Sequence, residues 1–156
     1  MLSSMTGYAV TALAWLSMQE NGPEQVRDIA QGAGVPEAYL GKIIQQLARK
    51  SLVLTQRGYG GGVIFEQNPC ELSLLDIAEA LGDPILTPKC MLGIEDCSDE
   101  RACPAHAFWK AHRAREIAYL AETTIDDIRK FEIQQTTGGA AAKAGSKTKK
   151  NKSKKR

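Results

Sequence analysis

Between residues 23 and 65 the apolar positions change period twice, and that change leaves very few folds open to the chain. Leu40, Ile43, Ile44 and Leu47 recur at i, i+3, i+4 and i+7, the stripe of a helix with one buried face, predicted to run from Pro36 to about Lys50. Val26, Ile29 and Ala30 mark a shorter helix before it, from Glu24 to about Gln31, and Gly32-Ala33-Gly34-Val35 supplies a tight turn between the two. Then Leu52-Val53-Leu54-Thr55 and Val63-Ile64-Phe65 read as strands on either side of Arg57-Gly58-Tyr59-Gly60-Gly61-Gly62. A short helix, a glycine turn, a longer helix and a hairpin make a helix-turn-helix with a wing. The outer face of the longer helix keeps Ala38, Lys42, Gln45 and Arg49, with Tyr39 at its border. The wing tip offers Arg57, Tyr59, Gly60 and Gly61, and Arg57 is the strongest candidate because a hairpin tip can carry a guanidinium into a minor groove. The glycine run is not a phosphate-cradling nucleotide loop: no Lys-Ser or Lys-Thr follows it, and it leads into a strand.

The surrounding segments are helical. A first helix is predicted from Thr6 to Gln19, with Tyr8, Ala12, Trp15 and Leu16 on one face, ended by Asn21-Gly22-Pro23. Ser73-Leu74-Leu75-Asp76 resembles a capping box opening a helix with Leu74, Ile77, Ala78 and Leu81 inward, stopped by Gly82-Asp83-Pro84. A long helix is predicted from Pro104 to about Glu122, and Thr123 or Thr124 caps a last short one through Asp126 and Asp127. The fold class is therefore mainly α with a small β-hairpin wing. Residues 1–83 form the winged helix-turn-helix, 84–103 a ligand loop, 104–135 a long helix and a short one, and 136–156 a tail. The first eighteen residues carry no charge, but no basic segment opens them as in a secretory leader, and no apolar run reaches transmembrane length. The chain is read as cytoplasmic, where clustered cysteines bind metal more often than they form disulfides.

Three cysteines and a histidine then stand out, as Cys90, Cys97, Cys103 and His106, spaced C-x6-C-x5-C-x2-H. Soft ligands this close suggest a metal or iron-sulfur site, with Cys3His zinc as the rival and three structural thiols as the plain alternative. Pro104 suits the first helical position, which makes Cys103 the predicted N-cap, where the helix dipole favours a thiolate. His106 lies one turn along on the same face. Cys70 is expected to be a buried thiol.

Charge divides the chain in the same way. Residues 136–156 hold eight basic residues and no acidic one, so residues 1–135 carry 12 basic against 18 acidic. Such a tail cannot bury enough apolar surface to order itself and suits non-specific attraction to polyanions. Residues 36–60 are net +3, while 66–135 hold seven basic and fourteen acidic residues. A basic reading half joined to an acidic ligand-bearing half suggests that one end meets DNA phosphate. No nucleophile-base pair or nucleotide loop marks an enzyme. A small iron-sulfur electron carrier or cluster-delivery protein would explain the ligands but not the winged helix.

Ser4-Met5-Thr6-Gly7-Tyr8-Ala9-Val10, Asp28-Ile29-Ala30, Pro36-Glu37-Ala38-Tyr39-Leu40, the glycine wing, Leu74-Leu75-Asp76-Ile77 and the cysteine triplet, in this order, resemble the Rrf-two family of bacterial winged-helix regulators, which includes IscR-, NsrR- and RirA-like members. The resemblance spans about Leu2 to Ile128. It implies a transcriptional regulator, read as a repressor, that senses through an iron-sulfur cluster and has no small-molecule substrate and no membrane. It implies a homodimer on palindromic double-stranded DNA, joined through the helix after the cysteines, with Phe108, Trp109, His112 and Tyr119 at the interface. In IscR-like members a histidine three positions after the last cysteine completes the site, and His106 stands there; NsrR-like members use an acidic residue near the partner's N-terminus, where this chain has Thr6-Gly7-Tyr8. A 2Fe-2S cluster on Cys90, Cys97, Cys103 and His106 is therefore favoured over 4Fe-4S. The alternative is a cluster-free or zinc-stabilised winged-helix regulator.

Overall fold

The computed structural model describes residues 1–19, 22–92, 98–100 and 103–146, with side chains as far as 135. Its elements are α1 (Ser4–Leu16), α2 (Val26–Ala33), α3 (Glu37–Arg49), β1 (Val53–Gln56), β2 (Gly62–Phe65), α4 (Leu74–Leu81), a 3-10 turn at Pro84–Leu86, α5 (His106–Glu122) and α6 (Ile125–Ser146). The core forms where α1, α2, α3 and α4 meet. Leu13, Ile29, Leu40, Ile43, Leu47 and Ile77 are fully buried there. Each such side chain contributes about 1.5–3 kcal/mol relative to exposure.

Local chemistry sets the helix ends. Ser3 caps α1, its hydroxyl accepting from the Thr6 amide. Ser73 and Asp76 form the expected capping box on α4, each side chain bonded to the other's backbone. α2 and α4 both end on glycine in the left-handed region, Gly34 at φ 66° and Gly82 at φ 63°. Thr124 and Asp127 cap α6 reciprocally, with Thr124 N–H and Oγ1 donating to Asp127 Oδ2 at 3.0 and 2.8 Å.

The wing is an antiparallel hairpin with Val53 opposite Phe65 and Gln56 opposite Gly62. Glu24, just ahead of α2, adds a third short rung: its amide donates to the Val63 carbonyl at 3.0 Å and its carbonyl accepts from the Val63 amide at 2.8 Å. The segment entering α4 likewise clamps the corner between α5 and α6, through Leu74 N–H to Thr123 O and Ile125 N–H to Leu72 O, both 2.9 Å. No helix among the described residues is long and apolar enough to cross a membrane.

Several expectations need correction. Gly32 lies inside α2, not in the turn, and the Trp15 indole occupies the space that a Cβ there would take. Tyr8 and Trp15 are only partly buried, and the buried face of α1 is Thr6, Ala9, Ala12, Leu13, Ala14 and Leu16. Cys70 is exposed, in a turn after Pro69, and its own amide donates to Asn68 Oδ1 at 3.0 Å. The last helix is not short: it runs to Ser146, past the boundary expected at 135, through Ala140-Ala141-Ala142, whose helix propensity is the highest available. The rest of the basic tail, 147–156, lies outside the described residues.

Candidate DNA-reading surface and cysteine loop

α3 presents its polar side as the sequence period requires. Ala38, Tyr39, Lys42, Gln45 and Arg49 are all exposed, while Leu40, Ile43, Ile44 and Leu47 on the reverse are buried. Tyr39 is 59% exposed and meets Tyr8 of α1 with the rings tilted at 59° and their centres 6.2 Å apart, so it is a surface residue and not core. A helix held by one apolar face and open on the other fits a major groove, with its N-terminal residues nearest the bases.

At the wing tip Arg57, Tyr59 and Gly60 are exposed. Gly58 and Gly60 take positive φ, 99° and 76°, to close the turn. Gly61 does not belong to this surface. It is buried, a Cβ there would strike the Gln56 carbonyl, and its own carbonyl accepts from the Gln25 side chain. Gln25 thus fastens the wing to the start of α2, a role no local sequence signal announced.

In the cysteine loop, Cys90 and Cys103 are half-buried free thiols, and Cys97 lies outside the described residues. Cys90 Sγ accepts from the Leu92 amide at 3.4 Å. Cys103 is not the cap of α5. Ala105 occupies that place, because Pro104 and Ala105 form a turn in which the His106 amide donates to the Cys103 carbonyl at 3.0 Å. The dipole argument for a Cys103 thiolate therefore loses its basis. His106 is the first residue of α5, its side chain 19% exposed, with Nε2 2.8 Å from Asp99 Oδ1. Lys110, one turn along, donates to both Asp99 oxygens at 2.8 and 3.0 Å. Those two partners, Lys110 first, hold the Asp99 carboxyl below its ordinary range.

The stem of the loop is tied to α5 through its backbone. Trp109 Nε1 donates to the Lys89 carbonyl at 2.8 Å and the Arg113 guanidinium to the Thr87 carbonyl at 2.8 Å. Phe108 and Trp109 both stack near His112, at 6.1 and 5.3 Å, and Phe108 and Tyr119 are 65% and 62% exposed in the single chain. Of the expected interface set, Trp109 is therefore partly spent on the loop. Sequence reading passed over Asp99, Arg113 and, most of all, Asp83, which is 3% exposed and binds across the chain to Ser3 and Thr6. The only local hint was an Asp-Pro pair after a glycine helix stop.

Residues 2–130 match the family model described as "Rrf2: Iron-dependent Transcriptional regulator". The chain is 27% identical over 132 residues to a putative HTH-type transcriptional regulator of Aquifex aeolicus, covering 83% of this chain and 92% of that one. It is 28% identical over 128 residues to the HTH-type transcriptional regulator IscR of Pectobacterium atrosepticum, covering 81% and 77%. Among solved structures it is similar to CymR (YrzC), the global cysteine regulator of B. subtilis, at 25% identity and TM-score 0.67 over 84% of this chain and 97% of that one. T. potens IscR shares the fold at 22% identity and TM-score 0.66, over 85% and 88%.

Proposed function

This chain belongs to the Rrf2 family of transcriptional regulators, and on that premise we propose that it acts in the cytoplasm as a homodimer whose cysteine loop holds an iron-sulfur cluster and sets how two reading heads fit a palindromic operator. It is a DNA-binding regulator of winged-helix type, as its relatives are, and not an enzyme. One observation carries the sensor reading. From Thr87 to Pro104, Cys90 and Cys103 are the partly buried residues among those described, and His106 is shielded just beyond them. The partial burial of these two thiols in an otherwise exposed described stretch supports a loop shaped around donor atoms.

Three thiolates and an imidazole suit iron-sulfur ligation, so Cys90, Cys97, Cys103 and His106 would hold the cluster, 2Fe-2S before 4Fe-4S. When bound, it supplies a centre that reacts to redox change or nitric oxide. The chain's own groups do the rest: Asp99 orients the His106 ring, Lys110 holds Asp99, and Trp109 and Arg113 bind the loop backbone to α5. Of the 17 residues of α5 only Leu120 is buried, so the helix needs a partner surface, which a second copy provides. Two reading heads joined this way would address half-sites about one helical turn apart. Coupling of about 1–3 kcal/mol between loop and DNA suffices for regulation.

The likeness to CymR, a cysteine regulator, favours one alternative, a cluster-free regulator using the same scaffold. Anaerobic purification with iron and acid-labile sulfide assays separates the two. Cluster-type visible absorption is expected in the natural chain, abolished by Cys97→Ala and altered by His106→Ala. Neither iron nor sulfide in the anaerobic protein, or equal retention of a selected DNA fragment by loaded and chelated protein, rejects the cluster-sensing reading.

A further inference from the structure

Asp83 stands at the corner where α4 ends and the cysteine loop begins, and both of its oxygens are committed. Oδ1 accepts from the Ile85 amide at 2.9 Å, the first turn of the loop stem. Oδ2 accepts from the Ser3 amide at 2.9 Å, the Ser3 hydroxyl at 2.7 Å and the Thr6 hydroxyl. Ser3 caps α1, and Thr6, fully buried, is in its first turn. One carboxylate therefore joins the foot of the loop to the start of the helix that packs on both α2 and α3.

From that corner to Cys90 the stem has little slack. Ile85 is held by Asp83, the Thr87 amide by the Pro84 carbonyl at 3.1 Å, the Thr87 carbonyl by Arg113, and the carbonyl of Lys89, the residue before Cys90, by Trp109. Chain tied at nearly every second residue passes a displacement on instead of absorbing it, because packed and hydrogen-bonded elements shift between discrete arrangements. A second polar tie, from the Met1 ammonium ahead of α1 to Glu116 of α5 at 3.1 Å, is solvent-exposed and weak by comparison.

We propose that Asp83 is a positioning residue that transmits displacement of Cys90 to the N-terminal end of α1 through Ser3 and Thr6, and so to the reading head. This rests on the loop being the sensor, as argued above, but the link itself can be tested without a cluster. In the full chain with Cys70→Ser, Cys97→Ser and Cys103→Ser, Cys90 is alkylated with iodoacetamide and amide hydrogen exchange is compared with the unlabelled protein. Exchange in the segment from Ser3 to Ala9 is expected to change at least about fivefold, the lower end of ordinary coupling between sites. Ser3→Ala combined with Thr6→Val, which removes both hydroxyl donors to Oδ2, should cut that response to less than about twofold, and Thr6→Ser alone should retain it. Asp83→Asn should behave as the double variant; where it fails to fold, the Ser3 and Thr6 variants decide. No response in α1 on labelling Cys90, or full transmission through the double variant, overturns the proposal. Transmission without any iron or sulfide in the natural protein leaves the link standing and removes only the cluster reading.

Discussion

A glycine inside a helix usually weakens it by about 1 kcal/mol relative to alanine, yet Gly32 is the residue α2 requires, because the Trp15 indole lies where a side chain would begin. Gly32→Ala should therefore destabilise the fold by about 1–3 kcal/mol through overpacking, despite the gain in propensity. Thermal unfolding measures the cost, and a shifted Trp15 emission should accompany it. Asp83 makes the complementary case of a polar residue that the interior requires. Burial works to raise its pKa, but the bonds from Thr6, Ile85 and Ser3 together outweigh that and hold it below the ordinary 3.8. A depressed folded-state pKa means stability that is fully present above the unfolded value and lost as pH falls through the folded one. Unfolding temperature should fall as pH drops below about 4, and Asp83→Asn, already less stable at neutral pH, should show a flatter acid limb.

At the scale of elements, α3 and the hairpin are separate pieces that must be held in one plane to meet a duplex. The Glu24 rung does this for the wing, and Gly62 is the residue that lets the backbones approach, since a Cβ there would collide with Glu24. On α3, Lys42 and Arg49 are exposed and touch no core residue's role, so their replacement should leave folding intact. Lys42→Ala and Arg49→Ala should each weaken binding across DNA sequences and lower the salt dependence by about one counterion-release unit where the residue meets phosphate. Retardation assays at several salt concentrations read this directly, and an unchanged slope for both would take α3 out of the phosphate contact.

For the whole molecule the least self-sufficient part is α5. A long helix with one buried side chain and exposed aromatics does not stand alone in water. The double variant Phe108→Glu with Tyr119→Glu is expected to sediment as a monomer while the natural chain sediments as a dimer, with the helix content of α1 to α4 retained by circular dichroism. A like charge placed twice on an isologous contact repels itself, so the effect should be large. Affinity for a palindromic fragment should fall with it, because two linked heads gain from the second contact what one head cannot.

Periodicity made α3 and α4 readable to the residue. Leu40, Ile43, Ile44 and Leu47, and Leu74, Ile77, Ala78 and Leu81, are the buried sets expected of them, and the wing and the Ser73–Asp76 capping box were equally plain. All of these are encoded in residues a few positions apart, where helix pitch, strand alternation and cap chemistry act without the rest of the chain. Tertiary packing alone decided that Gly32 lies under Trp15, that Gly61 is covered by Gln25, that Cys70 faces solvent, and that Asp83 reaches back to Ser3. These depend on which distant surfaces meet, and no local period records a contact between residues 3 and 83.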